Sequence, residues 1–384
     1  MSRTDLAGDD SLSRLGIAAI ATLLGLMVIL LLQERGDYRY YGIQWMNIVH
    51  GENPWFDQQG QWNTNAYGPA HAILAWPYAW WHKLPRIVFL GIWVSIGLFL
   101  LRTLRPEAEK PNWLYLLLFW AAPFLWSEII LSSDADVMTA ALCLVALTCA
   151  GKRPVLSGFL LAVAVASKLY PLALLPFFAV QRGRPQWRWI ASAAATLVVI
   201  YGAAFLLWGP SVWYSFTLAA TRDSTPYSLF FFLKSPASPL RLFSANPNLD
   251  WLSVPLLAVG GLALWVIYVV RRWTLGPGVM AAFCLVLILY KVGHDQFQML
   301  LYLGVIALWW GSRQRIPAGL RGAIIAYCAW INLSSFLQVV LHRFGDAFGE
   351  QRYLFCLPTA GVLIALFVCL ARWSESGRGA PATP

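Results

Sequence analysis

Residues 15–32 read LGIAAIATLLGLMVILLL, an unbroken apolar run ended abruptly by Gln33-Glu34-Arg35. A helix needs roughly 17–25 such residues to cross the hydrocarbon of a bilayer. No small-residue cleavage site follows the run, so it is read as a retained first span rather than a removed signal. Further apolar runs lie near 87–101, 113–131, 137–150, 155–167, 169–180, 190–208, 251–270, 277–290, 298–310, 322–341 and 353–371. Backbone in lipid must satisfy its own hydrogen bonds, so these runs are expected to be helices. The expected fold class is therefore an all-α polytopic membrane protein of about 12 transmembrane helices (range 10–13).

Composition points the same way. The chain is 59% hydrophobic and 12% charged, against roughly 25% charged in a soluble domain, so lipid must solvate most of it. The net charge of +10 does not imply nucleic-acid binding, because the basic residues are scattered between apolar runs instead of clustering on one face. The six cysteines show no Cys-x-x-Cys spacing and are read as small packing residues, with neither disulfide nor metal.

Most of the 28 Lys and Arg fall in short loops on the side of the N-terminus, which the positive-inside rule assigns to the cytoplasm. This places residues 1–14 and the tail 372–384 in the cytoplasm, around a single transmembrane domain at 15–371. Two long loops, 33–86 and 209–250, are then extracytoplasmic. Basic clusters flank the stretch Val155 to Val180 on both sides. Both clusters stay inside only if two short helices turn at Ser167-Lys168-Leu169-Tyr170-Pro171, where Pro171 favours a break. The turn would hold Lys168 near the outer surface.

The first outer loop opens Glu34-Arg35-Gly36-Asp37-Tyr38-Arg39-Tyr40-Tyr41. A carboxylate at a membrane boundary, beside aromatic rings, can accept a proton from a sugar hydroxyl; the plainer reading is a solvated acid at a helix end. Asp134-Ala135-Asp136 places two carboxylates in a tight outer turn, suited to sugar hydroxyls or a divalent metal, or simply to a solvated helix cap. Glu128 lies inside an apolar segment and is expected to face the bundle interior or the interface. Lys168 and Lys291 emerge at outer helix ends, where cations can pair with a lipid-linked phosphate or snorkel to the surface. His294 can donate a hydrogen bond to a phosphate or a sugar. Arg222, Lys234 and Arg241 in the second long loop are candidate acceptor contacts.

Further residues carry a resemblance. The acid after the first span is followed by Gly51-Glu52-Asn53-Pro54-Trp55-Phe56 and Tyr67-Gly68-Pro69. Later come Lys168-Leu169-Tyr170-Pro171 and Lys291-Val292-Gly293-His294-Asp295-Gln296-Phe297. In order and expected side these motifs resemble glycosyltransferase family 87, within the GT-C superfamily of polytopic enzymes that use polyprenyl-phosphate sugars. His294-Asp295 stand where Ser-Pro is usual. The resemblance spans most of residues 15–310. It implies a GT-C-like bundle and Asp37 as general base. It also implies Lys168, Lys291 and His294 at the donor phosphate, with Tyr41, Tyr67, Tyr170, Gln296, Asp134 and Asp136 binding substrate.

It further implies a polyprenyl-phosphate-linked hexose donor (mannose by resemblance alone) and a lipid or glycan acceptor outside the cell membrane. Membrane lipids are the other expected partners. No cofactor is implied; a divalent metal is not favoured, because the family usually carries a Gly-Gln-x-Asn-like stretch near Asp134. The rival reading is a transporter or flippase for lipid-linked sugar. Such proteins tend to gather polar residues at the midplane, whereas here they gather at the outer boundary.

Overall fold

The structure is a computed structural model that describes residues 3–33, 36–56, 67–103, 114, 116–244, 247–311, 316–341 and 352–376. Glu34, Arg35 and the tail beyond Ser376 lie outside the described residues. The chain is almost entirely helical; its strands are the two-residue pieces Val180–Gln181 and Arg184–Pro185, paired antiparallel. Among the described residues, four helices are long and apolar enough to cross a membrane. They run Trp187–Thr221, Asp250–Val270, Ala318–Val340 and Arg352–Ser374. Two bent pairs raise the number to six if each is one span: Pro69–Trp80 with Leu84–Leu100, and Leu116–Leu131 with Asp136–Cys149. Several of the other apolar runs form shorter helices, such as Pro154–Ser167 and Leu275–Leu289. At 1.5 Å per residue, 14 or 15 residues cover about 20 Å, less than the ~30 Å of hydrocarbon.

The outward faces identify the solvent. Leu206 is 86% exposed, and Val198, Val199, Leu207, Trp251 and Val259 are exposed with it. Water does not tolerate so continuous an apolar surface on a folded protein, but lipid does.

The described residues that follow the first helix are largely helical. Gly36, at φ +60, turns the chain out of the first helix, and Tyr38–Val49 follows. That helix ends at Gly51, at φ +74, the left-handed position glycine fills at helix C-termini. Asn47 then donates to the carbonyls of Asn53 and Phe56, and the Trp55 indole donates to Tyr67 O. The Gly-x-x-Pro-Trp motif is thus a turn that seats a fully buried Trp55. Tyr38, Trp45, His71 and Tyr67 pack ring to ring above the bundle, with Trp45 stacked on His71 at 5.1 Å.

Two fastenings bind this cap to the spans. Gly68 N donates to Ser167 O at 3.0 Å. Arg86, completely buried, donates to Ser133 Oγ and to the carbonyls of Ile29, Leu32 and Ile130. One guanidinium therefore ties the end of the first helix to the segment carrying Glu128, Asp134 and Asp136. That segment is π-helical over Trp126–Leu131 and closes with Asp134 N donating to Glu128 O. Ser133 is left-handed, at φ 57, a conformation that non-glycine residues adopt only where surroundings impose it.

The Gly68 contact leaves no room for a side chain: a Cβ there would sit 2.2 Å from Ala166 O, a backbone atom that cannot swing away. Gly68→Ala is expected to lower the free energy of unfolding by about 1–3 kcal/mol, and thermal unfolding in detergent measures it.

Candidate active site

The chain alternates direction along the bundle. The ends near residues 32, 136, 168, 250, 290 and 299 therefore meet on one side, where the polar residues collect. Asp37 sits at the N-terminus of Tyr38–Val49, and its side chain makes no capping bond with that helix. Its carboxylate instead accepts a hydrogen bond from Gln296 Nε2 at 2.9 Å, across 259 residues of sequence. Asp37 is half-buried.

One helical turn on, Tyr41 donates to Asp134 Oδ1 at 3.2 Å and lies 2.5 Å, oxygen to oxygen, from Tyr67. Tyr67 accepts from Lys168 Nζ at 2.9 Å, and Lys168 Nζ also reaches Asp136 Oδ2 at 2.5 Å. Lys168 owes this reach to the helix break. Pro154–Ser167 ends at a Lys168 with extended backbone, ahead of the turn at Tyr170-Pro171. Its ammonium lies over the rings of Phe297 (4.5 Å), Tyr67 (4.7 Å) and Tyr170 (6.0 Å), a cation–π cage.

The solvated-turn reading of Asp134 and Asp136 does not hold, since both are buried and neither caps the following helix. The π-helical turn before them folds the pair inward. Burial raises the Asp134 carboxyl above the usual carboxylate range; the negative charge of Asp37 adds to this, and a bond with Glu128 opposes it. Glu128 is itself buried and faces the interior. Asp295 is raised as well, first by burial, although the backbone N–H of Gln296 bonds its carboxylate.

The stretch 290–298 lies against the second long loop. Thr225 N donates to Lys291 O, and Gly293 N donates to Thr225 Oγ1. His294 caps the short Asp295–Gln298 turn and packs edge-on against Phe297 at 5.5 Å. Burial, with the positive charges of Arg222 and Lys168, lowers His294 to about 4 despite Asp37 nearby. Its imidazole is therefore neutral at physiological pH.

The structure thus brings Asp37, Tyr41, Tyr67, Asp134, Asp136, Lys168, Tyr170, His294 and Gln296 into one cluster. Lys291 is engaged elsewhere: its Nζ donates to Ala220 O at 2.8 Å and its backbone N–H to Ser253 Oγ. Lys234 pairs with Asp250, and Arg241 bonds nearby carbonyls. Arg222 differs from both. It is half-buried, its charge acts on His294, and its guanidinium has no hydrogen-bond or ion-pair partner among the described residues. Sequence reasoning missed Phe297, Trp45, His71 and Arg86. Only for Phe297 was there a local signal, its place after Gln296. Among the described residues no three His, Cys, Asp or Glu side chains converge to hold a metal ion.

Removing one partner of a buried ion pair strands the other as an unpaired buried charge, at a cost of about 3–5 kcal/mol. Lys168→Met is expected to destabilise the protein by that much. Lys168→Met combined with Asp136→Leu is expected to recover most of the loss, and a double-mutant cycle of unfolding free energies measures both.

Comparison with known proteins adds to this geometry. No curated protein matches the chain. A solved structure, the crystal structure of ArnT from Cupriavidus metallidurans bound to undecaprenyl phosphate, shares its fold. The match has a TM-score of 0.51 and 15% identity, over 97% of this chain and 78% of that one. The sequence model of Glycosyltransferase family 87 matches residues 65–291. That stretch includes Tyr67, Asp134, Asp136 and Lys168 but stops short of His294 and begins after Asp37. More than half of the chain is covered, and the chain belongs to glycosyltransferase family 87.

Proposed function

We propose that this glycosyltransferase moves a hexose, mannose by family resemblance, from a polyprenyl-phosphate donor to a lipid or glycan acceptor outside the cytoplasmic membrane. Both termini lie in the cytoplasm in this reading, about a dozen segments thread the membrane, and the carboxylate cluster faces outward. The observation that carries it is the state of Asp37: a half-buried carboxylate bonded by the neutral amide of Gln296, with no cation in contact among the described residues. An amide orients a carboxylate without taking up its charge, which leaves its other oxygen free to accept a proton. The polyprenyl phosphate bound by the ArnT of the solved structure supports the donor class.

In the proposed step the Asp37 carboxylate takes the proton of the acceptor hydroxyl. The hydroxyl oxygen bonds to the anomeric carbon, and the bond from that carbon to the phosphate oxygen breaks. The electron pair leaves with polyprenyl phosphate, and one direct displacement inverts the anomeric centre. Arg222, without an ion-pair partner among the described residues, is the cation for the departing phosphate, with the N–H of neutral His294 beside it. Lys168 contributes through Asp136 and Tyr67, holding the wall of hydroxyls and carboxyls against which the sugar would lie. A lipid-linked sugar flippase would use the same amphiphile, but it has no need of an uncompensated carboxylate bonded by an amide.

Asp37→Asn is expected to reduce sugar transfer from a polyprenyl-phosphate donor by roughly 10²–10⁴-fold while leaving the melting temperature near wild type. Near-normal transfer by the folded variant would remove Asp37 from the mechanism. Arg222→Gln is expected to raise the KM for the donor more than it lowers kcat. For His294 the sign is set by a pKa lowered to about 4. The unfolded chain binds the extra proton between about pH 4 and 6.5, so stability falls as pH drops through that window. Between about pH 6 and 8 the imidazole stays neutral, so pH–rate profiles of wild type and His294→Gln are expected to be parallel there.

A further inference from the structure

A cavity of about 2060 Å³ lies at the opposite end of the bundle from the carboxylate cluster. The 21-residue helix Asp250–Val270 runs from one end to the other, a distance of about 30 Å. The cavity exceeds the roughly 300–1,000 Å³ typical of small-ligand pockets. Its walls are mainly apolar, and Phe99 and Val145, which line it, are half exposed on the lipid side. Its rim carries Arg182, Arg184, Arg271 and Arg272, all exposed.

These four arginines come from two turns that the fold presses together. Arg182 and Gly183 form the tight turn between the two short strands, at φ 52 and φ 76. Arg271 and Arg272 close the helix Asp250–Val270, with Arg272 at φ 48. A Cβ on Gly183 would lie 3.8 Å from Val269 O, so the two turns are in contact. Arg182, Arg184 and Arg272 have no ion-pair partner among the described residues. Both left-handed positions suit Asn or Gly better than Arg.

Basic residues that only fix topology need no cavity among them. We infer that this groove is a binding site for an anionic glycerophospholipid of the leaflet opposite the carboxylate cluster. The arginines hold the phosphate, and the apolar walls take the acyl chains. Basic pockets between transmembrane helices recognise acidic headgroups in this manner. The site is separate from sugar transfer and stands even if the reading of Asp37 fails.

The left-handed turns offer a clean test, because Arg182→Asn and Arg272→Asn remove charge while favouring the backbone. Full-length protein would be reconstituted with equal anionic and zwitterionic phospholipid, and the lipids it retains counted by native mass spectrometry. Wild type is expected to retain the anionic lipid preferentially. Adding Arg184→Gln and Arg271→Gln to the two Asn changes is expected to cut that preference roughly tenfold or more. Should the fourfold variant not fold, the Arg182→Asn/Arg272→Asn pair is expected to show a smaller loss in the same direction. No preference in wild type, or an unchanged preference in folded variants, would overturn the inference. So would displacement of the phospholipid by polyprenyl phosphate, which would assign the groove to the carrier lipid.

Discussion

The contact between Lys168 Nζ and Asp136 Oδ2, buried on both sides, is the constraint from which the polar end of the molecule is built. An ammonium and a carboxylate withdrawn from water must stay together, because separating them leaves two uncompensated charges in a low-dielectric interior. Their union fixes the N-terminus of Asp136–Cys149 against the break after Ser167. Tyr67 is held to Lys168, Tyr41 to Tyr67, and Asp134 to Tyr41. The segment after the first helix thereby becomes a wall of the cluster, and Asp37 stands at the start of the short helix that carries Tyr41.

Charge is unevenly divided across that end. Asp37, Glu128, Asp134, Asp136 and Asp295 gather there, and among the described residues Lys168 pairs with one of them, Asp136. Burial of such a surplus raises the Asp134 and Asp295 carboxyls above the usual carboxylate range, and the charge of Asp37 adds to both shifts. Asp37, bonded by an amide, is close enough to act on both Asp134 and His294, and Arg222 acts on His294 from its own side. A sugar phosphate has the same division, with hydroxyls at one end and an anion at the other.

Architecture keeps the two membrane surfaces of the molecule distinct. The carboxylate end is closed by packed aromatic rings and by Arg86, which gathers three carbonyls from two segments. The other end is open, apolar between its helices and basic at its rim. Both ends carry basic residues, but the buried carboxylates of the described residues lie at one end.

The helices were legible in the sequence because hydropathy is a property of neighbours along the chain: the runs at 190–208, 251–270 and 322–341 became the helices Trp187–Trp208, Asp250–Val270 and Ala318–Leu341. The break at Pro171 was legible for the same local reason, a missing N–H. The family was legible from short motifs in order. The fates of individual polar side chains were not. For Asp134 and Asp136 a solvated cap and a sugar-binding pair were equally open readings, because the two-residue spacing says nothing of what packs over it. Lys168 and Lys291 read alike, yet one found a carboxylate 32 residues away and the other a carbonyl 71 residues away. Arg222 read like Lys234 until Asp250 proved to be within reach of only one. Those outcomes depend on which helix ends the packing brings together, and a bond spanning 259 residues leaves no local trace in the chain that makes it.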